Sequence, residues 1–146
     1  MNILDTNGIN HILKNNLTLS DEYFLVPDVA EESELAQMIH RRRMPGTITQ
    51  LSQNTYFDQV IYLAHYKTIL NKYGGRSFYN MTGFGDVSTI AALQMLFDVF
   101  NNQSRERLFA TTESITVFTD DAGLIAKINA EFVGKGVVVK SVVDIT

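Results

Sequence analysis

Ile115-Thr116-Val117-Phe118-Thr119-Asp120-Asp121 runs from four β-prone residues straight into two acids, and Leu124, Ile125 and Ile128 then share one face of a helix that extends to about Phe132. A strand that passes directly into a helix is the first half of a parallel crossover, and Gly136 to Val143 supplies the strand that completes it. The N-terminal half repeats the order. Asn2-Ile3-Leu4 is a short strand, and Gly8 to Asn16 places Ile9, Ile12 and Leu13 at helical spacing. Tyr23-Phe24-Leu25-Val26 is a second buried strand ended by Pro27, with Asp28 set to cap a helix whose apolar face is Val29, Leu35, Ala36 and Ile39. Arg41-Arg42-Arg43 closes that helix, where the dipole favours cations, and Pro45-Gly46 stops it.

The middle of the chain is helical. From about Tyr56 to Lys72, Val60, Ile61, Leu63, Ala64, Ile69 and Leu70 keep an apolar stripe that Gly74-Gly75 ends. Ser77 to Met81 reads as a short strand, and Gly83-Phe84-Gly85-Asp86 as the tight entry to a helix from Val87 to about Phe100. Asn101 to Glu113 is polar and mixed, with Leu108-Phe109 its only apolar pair, and has no periodic signal. The pattern β-α-β-α-α-α-β-α-β, with room for one more strand, predicts an α/β fold with a parallel sheet covered on both faces.

Composition narrows the function. The 146 residues suit one domain, and with 45% apolar residues and only two prolines no stretch reads as a disordered tail. The absence of cysteine excludes disulfides, thiolate nucleophiles and thiolate-bound zinc. The N-terminus carries no basic segment followed by an apolar one, and no window approaches a membrane span, so a cytoplasmic protein is expected. A net charge of −4 argues against a phosphate-binding face. That argument lapses if several acids share one metal site, because bound cations cancel them.

Acids do gather where such a site belongs. In open parallel sheets, ligands bind outside the carboxyl ends of the strands. Asp5 follows the first strand, Glu31 and Glu32 lie in the first helical turns after the second, Asp86 opens a helix after Gly85, and Asp120-Asp121 follow Ile115–Thr119. Helix capping accounts for an acid of this kind taken singly, but Asp5 is followed by Thr6-Asn7-Gly8, which are better cappers. Crowded carboxylates repel one another unless a cation enters, and all-oxygen ligands suit Mg²⁺ or Mn²⁺. The histidines, His11, His40 and His65, fall on three different helices and read as partly exposed helix residues.

In order and context these acids resemble the signature of the PIN-domain nucleases along nearly the whole chain. Ile3-Leu4-Asp5-Thr6-Asn7 is similar to that family's opening strand and first Asp, and Leu25-Val26-Pro27-Asp28-Val29 with Glu31-Glu32 to its second strand and Glu-bearing helix. Gly83-Phe84-Gly85-Asp86 before Ile90-Ala91-Ala92 resembles the third acid, and Val117-Phe118-Thr119-Asp120-Asp121 before Leu124 the fourth. The resemblance implies a three-layer α/β/α sandwich around a parallel sheet of order 3-2-1-4-5, filling 1–146 as one domain. It further implies a divalent-metal-dependent endoribonuclease in which Asp5, Glu32, Asp86 and Asp121 are catalytic metal ligands, with Asn7, Thr119 and Asp120 in support. Frequent homodimers, and an antitoxin or other regulatory protein as partner, are implied as well. Ser33 stands where the family carries an apolar residue after its Glu, which leaves Glu31 as an alternative to Glu32; helical spacing from core-facing Val29 favours Glu32.

Contacts to RNA are harder to read. Arg41-Arg42-Arg43, Arg76, Arg105 and Arg107 are candidates for phosphate, and Tyr56, Tyr79 and Phe84 for base stacking, but solvated helix ends and core aromatics account for the same residues. Two other readings compete with the nuclease. One is a catalytically silent PIN-like module that binds RNA or a partner protein; the other is a phosphotransfer receiver, which also gathers acids at strand ends but wants a lysine after a late strand, where Lys135 and Lys140 fit poorly.

Overall fold

Apolar runs of three or four residues build the sheet, and the helices between them return the chain to the same edge. A computed structural model describes residues 1–78, 84–106 and 114–146. In chain order the elements are β1 (Asn2–Leu4), α1 (Thr6–Asn15), β2 (Tyr23–Leu25), α2 (Pro27–His40), β3 (Ile48–Gln50), α3 (Gln59–Phe78), α4 (Gly85–Glu106), β4 (Ile115–Phe118), α5 (Ala122–Glu131) and β5 (Val137–Lys140). The five strands form one sheet of order β3-β2-β1-β4-β5, every neighbouring pair parallel. This is the α/β architecture expected from the alternation of strands and helices, with the strand order that the resemblance implied. A receiver of the flavodoxin-like class has order 2-1-3-4-5, so the phosphotransfer reading falls.

Register places the site. Leu4 pairs with Leu25 on one side and with Phe118 on the other, so β1, β2 and β4 end level with one another. Their side chains are almost all buried, as strands covered on both faces must be. The edge strand β5 alternates half-buried and exposed residues. Helices α1 and α4 feed the core through Ile9, Ile12, Ile90, Leu93 and Leu96, all at most 1% exposed. Gly8 lets α1 close on β1, because a Cβ there would come within 2.9 Å of the Leu4 side chain. Among the described residues no helix is long and apolar enough to cross a membrane.

Four expectations need correction, and one segment that the sequence left open is partly assigned. The fifth strand is Ile48–Gln50, directly after Pro45-Gly46. Ser77 and Phe78, expected to start a strand, continue α3, which runs through Gly74-Gly75; Tyr79–Met81 lie outside the described residues. Asn101–Glu106 extend α4, and the remainder of that segment, with Arg107, Leu108 and Phe109, is likewise outside. Asp28 does not cap α2: Val26 is the N-cap and Pro27 takes the first turn, where its missing N–H costs nothing. Finally, α2 buries Val29, Ser33 and Ala36, while Leu35 and Ile39 are 59% and 64% exposed; on α3, Val60 and Leu63 are likewise exposed.

Candidate metal centre

The strand order reverses between β1 and β4, and ligand crevices of parallel sheets open at that point. Asp5 leaves β1 on one side of it and Thr119-Asp120-Asp121 leaves β4 on the other. Asp5 is 7% and Thr119 1% exposed. The Thr119 hydroxyl donates to Asp5 Oδ2 and accepts the backbone N–H of Asp121 at 3.0 Å. Asp121 Oδ1 in turn caps α5, accepting the Leu124 N–H at 2.9 Å. The capping reading thus holds for one oxygen of Asp121. Asp5 occupies the N-cap position of α1; its side chain makes no capping hydrogen bond of full geometry, although the N–H groups of Thr6 and Asn7 favour its charged form.

The other two acids meet across α2 and α4. The Thr6 hydroxyl, one residue after Asp5, donates to Glu32 Oε2. Gly85 also stands beside Glu32, where a Cβ would sit 3.3 Å from Oε2 and 3.1 Å from Val29 Cγ2. Glycine at 85 therefore leaves room for the Glu32 carboxylate beside the start of α4, whose first turn carries Asp86. Glu31 is exposed, whereas Glu32 is half-buried between α1 and α4. Of the two glutamates left open by sequence, Glu32 is the one that lies with Asp5 and Asp86.

Electrostatics tie the set together. Burial pushes the Asp86 carboxyl from 3.8 up to about 7, the charges of Asp121, Asp5 and Glu32 add to the rise, and Lys127 opposes it. Burial also raises Asp5, against the Thr119 hydroxyl and the N–H groups of Thr6 and Asn7, with Asp121 adding to the rise. Glu32 is raised by burial and by the charges of Asp5 and Asp28, against the Thr6 hydroxyl and the Gly85 N–H. Among buried side-chain atoms of the described residues, Asp86 Oδ2 alone has no hydrogen-bond partner. An unpartnered carboxylate oxygen, buried in the field of three other carboxylates, is a group that a hard cation satisfies.

No family model, curated protein or solved structure matches the chain. The chemistry of the site therefore rests on its own residues. Among the described residues, no group of three or more His, Asp or Glu side chains is already arranged to hold an ion. The carboxylates are instead each hydrogen-bonded to a donor of the chain, Asp5 to Thr119, Glu32 to Thr6 and Asp121 to Leu124.

The supporting residues differ in kind. Thr119 touches two members of the set, whereas Asn7 is exposed and acts on Asp5 only through its backbone N–H. Asp120 is exposed and accepts the Val142 N–H at 3.3 Å, which fixes the chain after β5. Sequence reading missed Thr6 as the partner of Glu32, Gly85 as the space for it, and Lys127, whose Nζ lies 5.8 Å from the Tyr73 ring centre. Only Thr6 gave a signal, its place directly after Asp5. The histidines are all partly exposed, as expected, and His65 pairs with Asp98 at 2.6 Å. Tyr56 packs edge-on against Phe100, Arg41–Arg43 are exposed, and Phe84 is 56% exposed two residues before Asp86. Tyr79 and Arg107 fall outside the described residues, and Arg76 and Arg105 lie on α3 and α4.

Proposed function

We propose that this chain is a PIN-type endoribonuclease that hydrolyses RNA phosphodiester bonds with Mg²⁺ or Mn²⁺ held by Asp5, Glu32, Asp86 and Asp121. The observation that carries the reading is the unpartnered Oδ2 of Asp86, buried in the field of the other three acids at the edge where parallel sheets bind ligands. When bound, the ion supplies charge neutralisation for the phosphate and acidification of water, the chemistry that such hydrolysis needs. The chain's own residues set the stage. Thr119 holds Asp5 and the start of α5 in a fixed relation, and Thr6 does the same for Glu32. Burial raises the Asp86 carboxyl to about 7, so an ion held there would compete with its proton near neutrality.

RNA as the substrate follows from the family resemblance, and exposed Phe84 beside Asp86 offers a ring on which a base can stack. A regulatory partner protein, such as an antitoxin, belongs to the same reading. The silent-module alternative has one observation in its favour, the absence among the described residues of a preformed ion-binding group. A labelled panel of single-stranded and structured RNAs, incubated with Mg²⁺, Mn²⁺ or EDTA, separates the two. Metal-dependent nicking that EDTA abolishes supports the nuclease. Cleavage that survives exhaustive chelation contradicts the mechanism, and complete inactivity in all metals favours the silent module.

A further inference from the structure

Helix α2 starts without a cap of its own. Val26 holds the N-cap position but its side chain makes no hydrogen bond there, and Pro27 follows, so the first backbone N–H that needs a partner is that of Asp28. A capping side chain ordinarily belongs to the residue just before the helix. Here the acceptor comes from another helix. Ser88 Oγ, on α4, accepts the Asp28 N–H at 3.3 Å. The same hydroxyl lies 2.7 Å from the Tyr62 hydroxyl of α3, and both side chains are buried. One turn further along α3, the Tyr66 hydroxyl donates to Asp28 Oδ2 at 2.7 Å. Helix α3 thus braces both partners of the Ser88–Asp28 bond.

That bond joins the two helix starts that carry acids of the site. Asp28 stands one turn before Glu32 on α2, and Ser88 lies within a turn of Asp86 on α4. The helices approach closely at the same place, since a Cβ at Gly85 would meet Val29 Cγ2 at 3.1 Å and Glu32 Oε2 at 3.3 Å. We infer that Ser88 is a positioning residue for the ion site, its hydroxyl setting Glu32 against Asp86 by holding the start of α2 on α4. It does for this pair what Thr119 does for Asp5 and Asp121. The inference rests on the ion-site reading of these acids. A hydroxyl that only satisfied buried groups would affect stability alone, whereas one that sets the spacing of ligands also affects the affinity for the ion.

Binding of Mn²⁺ to the full chain at neutral pH, read from the electron paramagnetic resonance signal of the free ion, tests it. Ser88→Ala is expected to raise Kd roughly tenfold or more, as loss of groups that orient metal ligands does. Ser88→Cys, of similar size but a weak acceptor, should fall between Ser88→Ala and wild type, and it carries the comparison if circular dichroism shows Ser88→Ala unfolded. Tyr62→Phe leaves the Asp28 bond in place and should stay within about threefold of wild type. Ile115→Val, at the start of β4 and away from the acids, loses stability through packing alone, and its Kd should not change.

If wild type binds Mn²⁺ and the Ser88 variants bind it equally tightly, the proposal is overturned and the ion-site reading stands. A rise in Ile115→Val equal to that in Ser88→Ala reduces Ser88 to a stability role and overturns it as well. A rise in Tyr62→Phe as large as in Ser88→Ala moves the effect to α3 and overturns the assignment to α2. A wild type that binds no Mn²⁺ overturns the ion-site reading, and this proposal with it.

Discussion

Thr119, at the end of β4, donates its hydroxyl to the carboxylate of Asp5, at the end of β1, across 114 positions of sequence. The same oxygen accepts the Asp121 N–H. One buried side chain thus sets the spacing of two acids that leave adjacent strands at the point where the sheet reverses its order.

Thr119→Val keeps the shape and removes both bonds, leaving Asp5 buried without its main donor. A loss of about 1–3 kcal/mol is expected, together with a fall of at least roughly tenfold in metal-dependent cleavage, since small displacements of reacting groups are costly. Thr119→Ser keeps the hydroxyl and should stay within about 1 kcal/mol of the parent. Urea unfolding in chelator and RNA cleavage in Mn²⁺ measure the two effects. Equal stability of Val and Ser variants would show that the hydroxyl does not hold Asp5.

Glu32→Gln should abolish cleavage at unchanged fold, and Glu31→Gln should leave most of it. Glu32 lies between Thr6 and Gly85, while Glu31 is exposed. Cleavage rates with circular dichroism of both variants decide it, and the reverse pattern would move the ligand to Glu31.

The ion-free chain should lose stability as pH rises toward and through neutrality. The folded chain binds the Asp86 proton more tightly than the unfolded chain, with a value raised from 3.8 to about 7, chiefly by burial. Its contribution is therefore full below the unfolded value and is lost as pH climbs through the folded one. Asp5 and Glu32 are raised as well and act in the same direction. Mn²⁺ competes with these protons, so its affinity should increase over the same window. Calorimetric melts in EDTA between about pH 5 and pH 8 measure the slope, which Asp86→Asn should flatten. A wild-type melting temperature that rises steadily with pH in EDTA is the contrary result.

The sequence made legible those parts of the fold whose signal is local. β1, β2, β4 and β5 are apolar runs, and Asp5, Glu32 and Asp121 come after the first three of them, so four of the five strands and the places of three acids follow from position, whereas Asp86 opens α4 after a helix. β3 escaped because Ile48–Gln50 is an edge strand of three residues with one buried side chain, too short for an alternating pattern to register. Gly74-Gly75 misled because a glycine disfavours a helix by about 1 kcal/mol without forbidding it. Leu35 and Ile39 misled because apolar spacing marks a face and does not say what covers it. In the site, the choice of Glu32 over Glu31 was within reach of helical spacing from Val29. The Thr6–Glu32 bond, the space left by Gly85 and the field of Lys127 depend on how α1, α2, α4 and α5 pack, which no local pattern encodes.

The claim that four carboxylates form an ion site is tested most directly by thermal melts of wild type and Asp86→Asn in EDTA and across a Mn²⁺ titration. Asp86→Asn removes a crowded carboxyl whose Oδ2 has no partner, so in EDTA at neutral pH the variant should melt at or above wild type. Mn²⁺ should then stabilise wild type, by roughly 2.7 kcal/mol at a hundredfold excess over Kd, and scarcely move the variant. Equal Mn²⁺ shifts in the two proteins, or none in either, would contradict the account and return Asp86 to the role of a helix-terminal acid.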